Sequence, residues 1–289
     1  MWPWWVFALC SAVFSTIFTI MRKKWTKKEH ALEFEVTRST FMVLFSLFLI
    51  PFFSFKYTWQ SILIIYFVSV VCAIGILLNA KSIRHMQISE VAPLFNLTPG
   101  FLAIMAFLFL GETLTKYQIS GIILLIAGSY VLETDHNSFF KSALNHLKSK
   151  YVTYAITAAI IFGIGSLLEK LILNNYMNPY EYMFFIWFFI ALNFIILSSI
   201  EFDGIKGIKH CIKITKFNVI LTALFSFIAN IFTLIAMSMA YVSLVIPIRR
   251  LSTLGSTLIG GEMFHEKGLV RKSVACLIML VGACLIILL

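Results

Sequence analysis

Apolar residues in this chain come in long blocks, not at a strand or amphipathic-helix period. The blocks fall at 4–21, 36–55, 59–79, 91–110, 116–132, 152–173, 180–200, 216–239, 242–262 and 269–289, each close to the ~20 residues a helix needs to cross a bilayer core. Connections are short, and the two longest hydrophilic stretches, His136 to Lys150 and Glu201 to Lys216, are too small to fold as domains. The pattern predicts an all-α membrane protein of ten transmembrane helices that works inside the membrane. The start, Met1-Trp2-Pro3-Trp4-Trp5, lacks a cationic n-region, and Leu9 before Cys10 is too large for a lipoprotein cleavage site, so the first block reads as a retained helix.

Composition agrees. Of 289 residues, 60% are hydrophobic and 12% charged, with mean hydropathy +0.94, whereas soluble domains run about 45–50% apolar and about 25% charged. A net charge of +10 would suggest nucleic acid in a soluble chain; here it sorts by loop. Apart from Lys56, Lys116, Lys170, Arg249 and Arg250, every Lys and Arg falls at or beside the connections after blocks 1, 3, 5, 7 and 9. The positive-inside rule makes those connections cytoplasmic and puts both termini outside. The five cysteines form no CxxC, and Cys10, Cys72, Cys276 and Cys284 sit inside apolar blocks, so they read as small hydrophobes and imply no disulfide, metal or cofactor.

A shift of 154 residues aligns the last two blocks on the fourth and fifth without a gap: SEVAPLFNLTPGFLAIMAFLFLGE (89–112) meets SLVIPIRRLSTLGSTLIGGEMFHE (243–266). Ser89 falls on Ser243, Pro93 on Pro247, Glu112 on Glu266 and Gly128 on Gly282. Five helices per half is an odd number, so the second half must enter from the opposite side, giving inverted repeats over 1–135 and 151–289 joined by a basic connection, 136–150. Charge agrees: connections that are basic in one half have repeat mates nearly free of Lys and Arg.

The segment ISEVAPLFNLTPGFLAIMAFLFLGETLTKYQISGIILLIAGSYVL and its mate VSLVIPIRRLSTLGSTLIGGEMFHEKGLVRKSVACLIMLVGACLIIL resemble the paired units of EamA-like proteins in the drug/metabolite transporter superfamily. The resemblance implies five plus five helices around a central cavity and a secondary transporter, often an exporter of amino acids or other small metabolites. Two departures stand out: Phe264-His265-Glu266 replaces the Gly111-Glu112 pattern, and Glu262 stands where the first half has Leu108. The family is often drawn with cytoplasmic termini, opposite to the cation count.

Several residues could carry chemistry. Glu112 and Glu266 sit at helix ends, where a carboxylate can cap the following helix or take part in proton coupling. Glu262 lies one turn from Glu266 and invites Lys267 or Arg271 as partner; with Glu169 it is the best proton carrier if transport is proton-driven. Glu169, Lys170 and Arg38 read as interfacial anchors, or, for Lys24 and Lys170, as gate residues closing the first helix of each half. Asn79, Asn96, Asn193 and Asn230 read as interhelical glue. Gly163 and Gly165 permit close helix contact, since no Lys-Ser/Thr completes a P-loop.

Arg249 and Arg250 lie two turns inside the ninth block, where a guanidinium costs at least ~2.5–3.5 kcal/mol. Arg249 leads the stripe Ser252, Ser256, Gly260 and Arg250 the stripe Thr253, Thr257, Gly261, with Asn96 at the repeat position of Arg250. One reading is small-residue packing with the arginines snorkelling outward. The functional reading has Arg250 first, then Arg249, binding a carboxylate or phosphate of the substrate, with Pro247, and Pro93 at its repeat position, loosening the helix start as gates.

A secondary active exporter of a small metabolite such as an amino acid is the leading expectation, in a prokaryotic inner membrane; partners are the substrate, protons if they couple, and lipid, and monomer and homodimer both fit. A flippase or exporter of a lipid-linked or phosphorylated substrate is the runner-up. A membrane-embedded enzyme would show HExxH or paired intramembrane aspartates, yet Asp135, Asp203 and His85, His136, His146 and His210 are loop-borne. The charge count is tested by a single cysteine placed between Lys206 and Lys213: an impermeant thiol reagent should leave it unlabelled in intact cells, and labelling there would reverse the orientation.

Overall fold

A computed structural model of the chain describes residues 2–26, 31–85, 95, 98–133, 150–201, 205–215, 217–263 and 269–288; Pro93, Asn96 and Glu266 lie outside them, as do the side chains of Thr257 and Glu262. Described secondary structure is helical throughout: α1 Trp4–Thr26, α2 Ala31–Ser46 continued by a 3-10 turn Leu47–Phe52, α3 Trp59–His85, α4 Thr98–Leu110, α5 Lys116–Glu133, α6 Lys150–Asn175, α7 Pro179–Glu201, α8 Ile205–Thr215, α9 Asn218–Met239, α10 Val242–Arg249, α11 Leu251–Met263 and α12 Leu269–Leu288. Among these, α1, α2 with its 3-10 turn, α3, α6, α7 and α9 are long and apolar enough to cross a membrane, and α4, α5 and α12 supply shorter apolar helices.

Three departures from the block pattern have physical causes. Helix α2 begins well before residue 36 and takes in Glu35 and Arg38, both buried; one turn apart, they neutralise each other, so a charged stretch is helix interior. Residues 205–215, expected as loop, form a strongly amphipathic helix, IKGIKHCIKIT, whose Cys211 packs against Phe34 and Val219. Low mean hydropathy hides such a helix from a search for apolar blocks. The ninth block is broken: Pro247 has no N–H to continue the ladder, and at Arg250 the backbone N–H is shared between the Ile246 and Pro247 carbonyls, at 3.1 and 3.0 Å, before α11 resumes.

Helices from the two ends of the chain interleave. Helix α1 packs on α9 and α6 on α3, α1 also on α11 and α6 on α4, while α2 faces α7 and α5 faces α12. The α5–α12 pair is antiparallel and drawn together by glycine. A Cβ on Gly282 would lie 2.7 Å from the Gly121 carbonyl oxygen, and one on Gly121 2.6 Å from that of Gly282. Likewise Gly128 sits against Ala275 and Met279. Backbone cannot yield as a flexible side chain does, so Gly282→Val should force the helices apart at a cost of about 1–3 kcal/mol. Thermal unfolding in detergent would show a lowered midpoint; an unchanged midpoint would contradict this packing.

Candidate functional site

A cavity of about 350 Å³ opens between these helices, lined from α1, α2, α3, α4, α6, α7, α9, α10 and α11. Its floor is charged. Glu35, fully buried, lies between two arginines: Arg22 donates to its Oε1 from Nη2 at 2.6 Å and Nε at 2.9 Å, and Arg38 to its Oε2 from Nη2 at 2.6 Å and Nε at 2.8 Å. Each guanidinium also donates to a neutral group, Arg22 to Asn79 Oδ1 at 3.0 Å and Arg38 to Ser226 Oγ at 3.0 Å. Aromatic rings cover Arg38, with Trp187 at 4.8 Å and Phe18 at 5.6 Å from its Cζ. Two N–H donors from each arginine on one carboxylate oxygen fix these side chains in orientation as well as charge, and leave the trio one positive charge in excess.

Arg249 and Arg250 enter the same cavity. Arg249 Nη2 donates to Asn230 Oδ1 at 3.4 Å and faces Glu169, which lines the cavity and accepts from the Tyr182 hydroxyl at 3.4 Å. The small-residue stripe serves two purposes. Ser252, Thr253 and Ser256 line the cavity, while Thr16 donates to the Ser252 carbonyl at 3.2 Å and a Cβ added at Gly255 would lie 2.6 Å from Thr16 Oγ1. Packing and lining are therefore joint properties of one helix face.

A second cluster closes the opposite side. Gly111, in the left-handed conformation at φ 65°, ends α4 and turns the chain so that Glu112 N–H reaches back to Ala106. The Glu112 carboxylate accepts from Val242 N–H at 2.9 Å, Ser243 N–H at 3.1 Å and the Ser243 hydroxyl. It thus caps α10, on another part of the chain, rather than the α5 that follows it. Lys170, buried, donates to the carbonyls of Met237 at 2.5 Å and Ala240 at 2.9 Å. An anion on the N-terminus of α10 and a cation on the C-terminal carbonyls of α9 both satisfy orphan groups and oppose the helix dipoles.

Arg249, Arg250, Ser252, Thr253 and Ser256, grouped on one helix face from the sequence, line the cavity together with Glu169, and three expectations need correcting. Arg38 is 3% exposed, not an interfacial anchor, because Glu35 is beside it. Glu169 and Lys170 are interior too. Lys24 is exposed over Trp25 and is not part of this cavity's lining. Asn193 does join helices, donating to Ser69 Oγ at 3.1 Å, and the close contacts of Gly163 with Phe101 and of Gly165 with Cys72 fit their expected part. Missed altogether were Arg22, Glu35, Ser226, Tyr182 and Trp187; the Glu35-x-x-Arg38 spacing at a helix start was the one available signal.

Residues 2–134 match the model of the EamA-like transporter family. Over those residues the chain is similar to that family. EamA lies in the drug/metabolite transporter superfamily and is a family of membrane transporters of small substrates, and the six apolar helices of spanning length support an integral, multi-pass membrane protein. A solved crystal structure shares the fold along nearly the whole chain, with a TM-score of 0.74 at 12% identity over 98% of this chain and 96% of its own. No curated protein gives a sequence match.

Removing one partner from a buried ion cluster strands the others. Glu35→Gln, which leaves two guanidiniums facing each other, should lower unfolding stability in detergent by about 3–5 kcal/mol, and adding Arg22→Gln should restore part of it. Equal stability of wild type and Glu35→Gln would show that the carboxylate does not hold the pair.

Proposed function

We propose that this EamA-like protein is a secondary active transporter that exports a small metabolite, such as an amino acid, by alternating access through the cavity. One observation carries the reading: the cavity is lined jointly by helices from both ends of the chain, with Arg38, Arg249 and Arg250 on its wall at membrane depth. The lining reaches Lys23 and Ile83 near the C-terminal ends of α1 and α3, the side of the cation-rich connections. The Glu112 and Lys170 clamps lie at the other side. This supports a state open to the cytoplasm, with both termini outside in a prokaryotic inner membrane.

The two moving bodies are two inverted five-helix repeats, 1–135 and 151–289, joined by 136–150. The α5–α12 contacts support the pairing. Adding 154 to Gly121 gives Ala275 and to Gly128 gives Gly282, so the contact of Gly121 with Gly282 exchanges with that of Ala275 with Gly128. The same holds for the approach of Gly282 to Leu125 and of Gly128 to Met279. Antiparallel mates related in this way are what inverted topology requires.

In this mechanism Arg250 and Arg249 bind an anionic group of the substrate, with Ser252, Thr253 and Ser256 beside them and Asn96 as the repeat counterpart. The break at Arg250, prepared by Pro247, lets α10 move relative to α11 as a gate, and Pro93 has the matching place in the first half. Release of Lys170 from the α9 carbonyls and of Glu112 from the α10 amides opens the far side; Glu266 is the mate of Glu112. Glu169, between Arg249 and Tyr182, is the coupling carboxylate, with Glu262 as the second candidate. Reconstituted protein screened by counterflow with labelled amino acids and organic acids tests the reading. In protein that elutes as a single species, Arg250→Lys should weaken transport of an anionic or zwitterionic substrate by about tenfold, near 1.4 kcal/mol. Unchanged transport in both Arg249→Lys and Arg250→Lys would remove the arginines from the mechanism.

A further inference from the structure

A guanidinium carries five N–H donors in one plane. Arg38 uses three, Nε and Nη2 on Glu35 and Nη1 on Ser226. Two N–H bonds of a side chain 3% exposed therefore have no acceptor among the described residues, and that side chain borders the cavity. Buried donors of this kind are costly unless something accepts from them. Arg249 repeats the situation: its hydrogen bond to Asn230 is long, at 3.4 Å, and most of its fork is unspent.

One turn of α9 ties the two together. Ser226 accepts from Arg38, Asn230 accepts from Arg249, and Asn230 Nδ2 closes the turn onto the Ser226 carbonyl at 2.7 Å and its hydroxyl at 3.4 Å. Four residues of helix rise about 6 Å. Two fixed guanidiniums with spare donors thus stand a short carbon chain apart along one wall. Charge points the same way, since Arg38, Arg249 and Arg250 line the cavity and Glu169 is the lining carboxylate among the described residues. A monoanion would satisfy one fork and leave the other exposed to the cavity; a cation would meet the excess positive charge.

We propose that the cavity recognises a small organic dianion, a dicarboxylate of four to six carbons, with one anionic group on Arg38 and the other on Arg249. This rests on the transport reading of the cavity and narrows its substrate class. Glu35 acts as a positioning residue: by holding Nε and Nη2 of Arg38 it leaves the remaining donors for the ligand. Bidentate recognition of each carboxylate is what a planar fork provides and an ammonium does not.

Titration calorimetry on the purified full-length protein tests this with three probes of similar chain length, glutarate, butyrate and 4-aminobutyrate. Wild type should bind glutarate at least tenfold more tightly than either of the others. Arg38→Gln and Arg249→Gln should each erase that margin. Arg38→Gln leaves the Arg22–Glu35 pair intact; if it does not fold, Arg38→Lys, which keeps the charge and loses the fork, should show the same loss. Equal binding of glutarate and butyrate by wild type, or a margin that survives both substitutions, overturns the proposal. Calorimetry reads binding without movement, so the two readings fail separately. Protein that binds glutarate with the expected margin but exchanges no solute in liposomes contradicts transport alone. Protein that exchanges other solutes and does not bind glutarate contradicts the dianion site alone.

Discussion

A charge placed in hydrocarbon must be paired, hydrated or expelled, and the arrangement of this protein follows from how it meets that demand. Glu35 lets two arginines enter the bundle interior by bonding both at once. Asn79 from α3 and Ser226 from α9 then take the outer donors, so four helices are bound to one electrostatic centre. Replacing the trio by packed apolar residues would be at least as stable on general grounds. Its presence in the wall of a polar cavity is therefore better explained by what the cavity must hold than by stability.

The same demand, applied to backbone, accounts for the closed side. Helix ends inside a membrane carry orphan amides and carbonyls that water cannot reach. Glu112 and Lys170 satisfy the two facing ends of the α9–α10 corner from α4 and α6. Such contacts join separate segments with a few charge-assisted bonds, unlike the glycine-mediated backbone approach of α5 on α12. One interface rests on a few directional bonds; the other is a continuous backbone contact between the two halves of the chain.

Hydrophobic blocks made the membrane class and most helices legible, because lipid selects composition directly. Charge in a loop and charge in a buried pair look alike in a sequence, however, and that is why α2 was begun too late and Arg38 put at the interface. Arg249 and Arg250 were found because no partner nearby in sequence could hide them inside an apolar block. Arg22 was counted among loop cations, and its acceptors, Glu35 and Asn79, belong to other helices. Glu112 was recognised as a cap, but on the wrong helix: a cap's sequence position shows what it is able to bind and not which helix end the fold brings to it. The amphipathic α8 was lost for a third reason, since half its surface is polar and its average is unremarkable.

Everything above depends on the bundle interior being a hydrated, cation-rich cavity, and that is open to direct measurement. Ser166 lines it, while Ile196 of α7 is half exposed on the outer surface of the bundle. In a cysteine-free background, rates of thiol modification by small anionic and cationic methanethiosulfonates, each normalised to a free thiol, should show Cys at position 166 reacting and preferring the anionic reagent by several-fold, with Cys at position 196 in lipid reacting with neither. An unreactive Ser166→Cys, or one that prefers the cationic reagent, would contradict the account.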